Sequence, residues 1–168
     1  MIILGIDPGI ADTGYGVIEV QKNNTIKCLA YGSIKTNSNQ GLGERLEILY
    51  KELNIIIEEF KPYLVSVEEL FFYNNAKTAF VVSQARGVVL LAIQQNKLKI
   101  AEFTPLQVKQ AVSTYGKADK KQVQKMIKLI LSLETIPTPD DAADALAVAI
   151  CASNQNWDYL EVKIPTKS

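Results

Sequence analysis

Histidine is absent from all 168 residues of the chain. That absence removes Ser-His and Cys-His nucleophilic systems and every His-ligated zinc site. Cysteine is scarce: Cys28 and Cys151 show no metal-ligand spacing and fit reduced, packed thiols. No apolar run reaches the ~18 residues needed to span a bilayer. The first apolar run is broken by Asp7-Pro8 and lacks the basic flank of a secretion signal, so a cytoplasmic location with no membrane contact is expected. Net charge is missing as well, with 18 basic residues against 18 acidic ones. Carboxylates, lysines and hydroxyls must carry whatever chemistry exists.

The balance of charge is global but not local. Between residues 109 and 131 six lysines (Lys109, Lys117, Lys120, Lys121, Lys125 and Lys128) face a single acid, Asp119. Between residues 132 and 168 the order reverses, with six acids against Lys163 and Lys167. A basic patch beside an acidic pocket says more about partners than the zero sum does.

Apolar periodicity divides the chain into elements. Residues 2–7 read as a buried strand, Thr13 to Val20 as a second and Ile26 to Ile34 as a third; their short connections favour an antiparallel meander. Leu46, Leu49, Leu53, Ile56, Ile57 and Phe60 recur at helical spacing until Lys61-Pro62 stops them. A strand at 63–68, a helix at 75–95 and a strand at 98–103 follow. Thr104-Pro105 opens a short helix, residues 120–133 form an amphipathic one, and a last helix runs from Thr138-Pro139 to about Cys151. This order predicts a mixed five-stranded α/β sheet flanked by helices, the ribonuclease H-like architecture. An actin-like lobe begins similarly but needs a second lobe, for which the chain has no room. The expected organisation is one domain over 1–154 and an irregular tail over 155–168.

Four carboxylates stand where an ordinary core would not place them. Asp7 ends the run Ile2–Ile6, Glu68 ends Leu64–Val67, and Asp141 and Asp144 lie three apart in an alanine-rich helix. Burying such a group costs several kcal/mol unless it is paired, protonated or metal-bound. Alternation places Ile3, Gly5 and Asp7 on one strand face, and the i, i+3 spacing puts Asp141 and Asp144 on one helix face. Gly5, Gly14 and Gly16 leave room in which a bulky ligand is expected to approach the backbone. Four oxygen donors without nitrogen or sulfur suit Mg²⁺ or Mn²⁺, and two such ions are suited to phosphodiester hydrolysis.

Each acid has an alternative reading. Asp7 before Pro-Gly suits an Asx turn, and Glu69 competes with Glu68 for the inward position. Thr138 as cap, Pro139 at the first helical position and Asp141 at the third would form a capping box. Asp144, set among Ala142, Ala143, Ala145 and Leu146, has no such excuse. The lysines at 120–128 suit either a solvated helix face or a phosphate-binding one. Phe71-Phe72-Tyr73 beyond a strand end suits base stacking, a lid or a dimer contact. Gly87, amid Ala85, Val88 and Val89, suggests close helix packing within the chain or across a dimer.

The segments Gly5-Ile-Asp-Pro-Gly9 with Thr13-Gly-Tyr-Gly16, Val67-Glu-Glu-Leu-Phe71 with Asn75, Gln84-Ala-Arg-Gly87, Gln107-Val-Lys-Gln110 and Asp141-Ala-Ala-Asp-Ala-Leu-Ala147 resemble the bacterial RuvC Holliday-junction resolvases. The resemblance runs in order from about residue 2 to residue 150. It implies a homodimeric, Mg²⁺-dependent endonuclease that nicks opposed strands of four-way junction DNA and works with a branch-migration complex. It implies two Mg²⁺ per site, with Mn²⁺ as a substitute, held by Asp7, Glu68, Asp141 and Asp144. It further implies roles for Lys109 and Lys120 and base stacking by Phe71, with Lys117 and Lys121 in the same DNA-binding stretch. Two rivals stay open: another ribonuclease H-like nuclease, and a junction-binding module without catalysis.

Overall fold

The computed structural model describes residues 1–69, 76–113 and 118–155, excluding the side chains of 76–78. Strand β1 (Ile2–Asp7) pairs antiparallel with β2 (Asp12–Val20), and β2 pairs antiparallel with β3 (Ile26–Lys35). The chain then crosses through helix α1 (Leu42–Phe60) to β4 (Leu64–Glu68), and through α2 (Ala76–Gln95) to β5 (Lys99–Phe103). Both β4 and β5 run parallel to β1, giving the order β3-β2-β1-β4-β5. Helices α3 (Pro105–Ser113), α4 (Lys120–Ile130) and α5 (Asp140–Ser153) complete the described chain. The mixed five-stranded sheet flanked by helices is the one the apolar pattern anticipates.

The central strands are apolar on both sides because both sheet faces are covered. Ile3 and Leu64 face the core shared with α3, α4 and α5. Leu4, Ile6, Val65 and Val67 face the core shared with α1 and α2. In α1, Leu49, Leu53, Ile56 and Ile57 supply the buried stripe, while Glu44 reaches back 3.1 Å to the Gly41 amide at its start. Lys61 ends α1 in a left-handed conformation (φ 46°), and Pro62 prevents its continuation.

Helix α5 is the structural hub. Every residue from Ala142 to Ala152 except Asp144 is buried, and the helix lies against β1 and β2. Here the expectation about the glycines is overturned. A Cβ added at Gly5 would run into the Ala145 carbonyl oxygen, one at Gly14 into that of Asp141, and one at Gly16 into Leu146. The space is filled by the helix backbone, so it admits no bulky ligand. Glycine on the strands and alanine on the helix let two backbones meet without intervening side chains.

The start of α5 also differs from expectation. Pro139 is extended (φ −70°, ψ 177°) and lies outside the helix as its cap residue, with no side-chain cap bond. Thr138 is therefore one residue too far upstream, and no capping box forms around Asp141. Helix α4 is shorter than its apolar pattern suggests because Ser132 turns the chain with φ 51°. Both thiols are free; Cys151 is buried and Cys28 half-buried. Among the described residues no helix is long and apolar enough to cross a membrane. The expected irregular tail lies outside the described residues from 156 onward.

Candidate active site

The carboxyl ends of β1 and β4 are adjacent because the two strands are parallel and paired through Ile6 and Val67. Asp7 and Glu68, the next residues on each strand, therefore come together. Asp7 is also the register partner of Gly14, whose backbone touches the Asp141 carbonyl. The close approach that seats α5 thus brings its acids to the same strand ends. Asp144, one helical turn beyond Asp141, points to the cleft side.

The four acids feel one another's charge. Burial pushes the Asp7 carboxyl up to about 7, and the charges of Glu68, Asp144 and Asp141 add to the effect while Lys120 opposes it. Glu68 is likewise pushed up to about 7, first by burial and then by Asp144, with Lys109 opposing. Asp141 is raised by its burial and then by Asp12 and Asp144. Neither Asp7 nor Glu68 makes a hydrogen bond or ion pair among the described residues.

The cations occupy the other side of a cleft of about 220 Å³, lined by Glu68, Lys109, Lys120 and Asp144 with apolar walls from Val108 and Val123. Lys120 Nζ lies 3.2 Å from Asp144 Oδ2 and 3.2 Å from Asp140 Oδ2. The two carboxylates raise the Lys120 pKa against the effect of its partial burial. Lys120 and Gln124 in turn hold Asp140 below the usual carboxylate range. Asp119 starts α4 with a true capping box, accepting from Gln122 N at 2.8 Å, which fixes Lys120 as the first helical residue.

A divalent cation suits this donor set. It consists of oxygen alone, and burial together with the neighbouring acids raises two of its carboxyls, an imbalance that a hard cation offsets. Among the described residues no three acidic side chains yet converge into a finished cage. Lys120 stands against Asp144 instead.

Several sequence expectations find a definite place here. Glu68 and Asp144 line one cleft with Lys109 and Lys120, Asp7 and Asp141 couple to Asp144 and Lys120, and Lys121, next in sequence to Lys120, is exposed. Phe71 and Lys117 lie outside the described residues. A Cβ added at Gly87 would meet nothing within 4 Å among the described residues, which removes the reading of close packing inside their fold. Sequence reasoning missed three contributors. Asp140 anchors Lys120, Gln124 steadies Asp140 at 2.9 Å, and Asp12 places a fifth carboxylate near Asp141. These contacts join positions remote in sequence, and no local signal announces them.

Comparison with known proteins points to one family. Residues 3–152 match the family model for crossover junction endodeoxyribonuclease RuvC. The protein of that name from Natranaerobius thermophilus is 56% identical over 153 residues, covering 91% of this chain and 94% of that protein. Its counterpart from Finegoldia magna is 56% identical over 151 residues, covering 90% of this chain and 92% of the other. The structure of T. thermophilus RuvC in complex with Holliday junction substrate superposes with a TM-score of 0.82 at 34% identity, covering 90% of this chain and 92% of that one. A yeast mitochondrial Holliday junction resolvase at 13% identity shares the fold, with a TM-score of 0.64. The chain belongs to the RuvC family of crossover junction endodeoxyribonucleases.

Proposed function

We propose that this chain resolves four-way DNA junctions by metal-dependent nicking of opposed strands. The observation that carries the reading is the electrostatic coupling of Asp7 to Glu68, Asp141 and Asp144 at the strand ends, beside a cleft lined by Lys109 and Lys120. Asp7, Glu68, Asp141 and Asp144 hold Mg²⁺, two ions per site, with Mn²⁺ as a substitute. Divalent cations supply a more acidic water and offset charge building on the phosphate. Lys120 and Lys109 attract the backbone into the cleft and neutralise the phosphate at the cut; Lys117 and Lys121 extend that attraction. Phe71 stacks on an exposed base.

Paired incisions need two sites related by a two-fold axis, so the working unit is a homodimer. Support comes from α2, where Phe80 (70% exposed) and Leu91 (50% exposed) flank Gly87 on one helical stripe. That apolar stripe is the dimer face in this reading. A cytoplasmic protein acting on junctions alongside a branch-migration complex completes it.

Incubation with four-way junction, plain duplex and RNA–DNA hybrid, with and without Mg²⁺, tests the proposal. Symmetric nicks in the junction alone are expected. Equal cutting of all three substrates points to a general nuclease, and junction binding without cutting in either metal points to a binding module.

A further inference from the structure

We infer that Arg45 and Lys35 form a second DNA-backbone contact, across the active site from the lysines of α3 and α4. The inference rests on the junction-nuclease reading and adds a phosphate-binding position to it. Lys35 ends β3 and Arg45 lies in the first turn of α1, so both stand at the sheet end that carries Asp7. β3 and β5 are opposite edges of the sheet, and α3, with Lys109, follows β5. Lys35 and Arg45 thus stand at the β3 edge of the carboxylate end and Lys109 beyond the β5 edge, with α1 on the sheet face opposite α3, α4 and α5.

Arg45 is held in place by side-chain chemistry. Its Nε donates to Thr36 Oγ1 at 2.8 Å, and Thr36 Oγ1 donates to the Ile10 carbonyl. The Thr36 amide donates to the Ala11 carbonyl at 3.1 Å, while Thr13 Oγ1 ties the Gly9 carbonyl. The loop that follows Asp7 is thus bonded to the same threonine that orients the guanidinium. Only Nε is used: the two terminal nitrogens make no hydrogen bond or ion pair among the described residues. The nearest acid in sequence, Glu44, is engaged with the Gly41 amide at 3.1 Å. Lys35 is exposed and has no ion pair among the described residues, although Asp12 is its register partner on β2.

A half-buried guanidinium oriented through one edge, with its outer fork free, is suited to bidentate phosphate contact. A merely structural tie to Thr36 needs no free fork. β3 lies two strands from β1, about 10 Å at the ~4.8 Å strand spacing. At ~3.4 Å rise per nucleotide, that is about three nucleotides from a phosphate at Asp7. The contact would steady the strand leaving the cut on the side the lysines cannot reach.

The test uses the full chain carrying Asp7→Asn, so that binding is read without cleavage. Junction affinity is measured from 50 to 200 mM salt with and without Lys35→Gln or Arg45→Gln. Each substitution should lower the slope of log affinity against log salt by about one and weaken binding roughly threefold to tenfold. Ethylation of phosphates about three nucleotides from the cut should impair binding of the parent but not of the Arg45→Gln form. Unchanged slopes overturn the inference. Should Arg45→Gln melt early, Lys35→Gln decides alone, since its side chain is exposed and has no ion pair among the described residues. Should the parent fail to prefer junction over duplex, the resolvase reading falls, yet the slopes on duplex still decide the contact.

Discussion

Helices α5 and α4 face each other across the cleft and solve opposite problems. α5 buries nearly its whole surface and delivers acids through its backbone, seated directly on two strands. α4 buries only one stripe, Val123 and Ile127, and delivers cations on long side chains from its open face. Acids that must hold a fixed geometry are placed by peptide-on-peptide packing. A cation that must follow a flexible polyanion is placed at the end of four rotatable bonds. Anions fixed by backbone packing and cations on long side chains are a sensible division of labour for cutting a phosphodiester.

The comparison can be broken from either side. The largest effect belongs to Asp7→Asn, which should cut junction cleavage by about 10³-fold or more in single-turnover assays while binding survives. The same substitution should raise the thermal midpoint in chelator at pH 8, because it removes a buried charge with no hydrogen-bonded partner. Next comes Gly14→Ala, whose new methyl meets the α5 backbone; a loss of about 2–3 kcal/mol in urea unfolding is expected. Alanine at Gly87, where nothing lies within 4 Å, should leave monomer stability intact and serves as the control.

A pH titration sharpens the contrast further. Asp7 and Glu68 ionise near 7 in the folded chain but near 4 when unfolded, so their protonated forms favour the fold. In chelator, stability from these groups is full below about pH 4 and is lost as pH rises through 7, by ~2 kcal/mol or more. Calorimetry should show that Mg²⁺ restores more stability at pH 8 than at pH 5. A midpoint in chelator that rises steadily from pH 5 to 8 would remove the buried charges from the account. The smallest effect is that of Lys120→Ala, expected to slow cleavage roughly tenfold to thirtyfold. Its unfolding free energy should move by less than about 1 kcal/mol, since exposed ion pairs contribute little.

Much of the fold was legible because its cause is local. The aliphatic runs ending at Asp7 and Glu68 could only be strands covered on both faces, and the 3.6-residue pattern of α1 and α4 named their buried sides. The acids stood out for the same reason: a carboxylate at the end of a fully apolar run has few explanations. The purpose of Gly5, Gly14 and Gly16 was not legible. Open space beside a strand looks alike in sequence whether a ligand or a helix fills it, and residues some 140 positions away decide the matter. The capping box around Asp141 failed on the extended conformation of Pro139, a backbone choice that Thr138-Pro139 does not dictate. The Lys120–Asp140 pair and the nearness of Asp12 to Asp141 join elements remote in sequence, and periodicity carries no such information.

The absence of side chains between α5 and the strands has one more consequence. In most helix–sheet contacts, interposed side chains act as a compliant gasket, taking up small shifts by changing rotamer. Here there is no gasket at Gly5 or Gly14, so a displacement of α5 passes at full amplitude to Asp141 and Asp144 relative to Asp7. Registration of the acids and integrity of the fold are one mechanical tolerance.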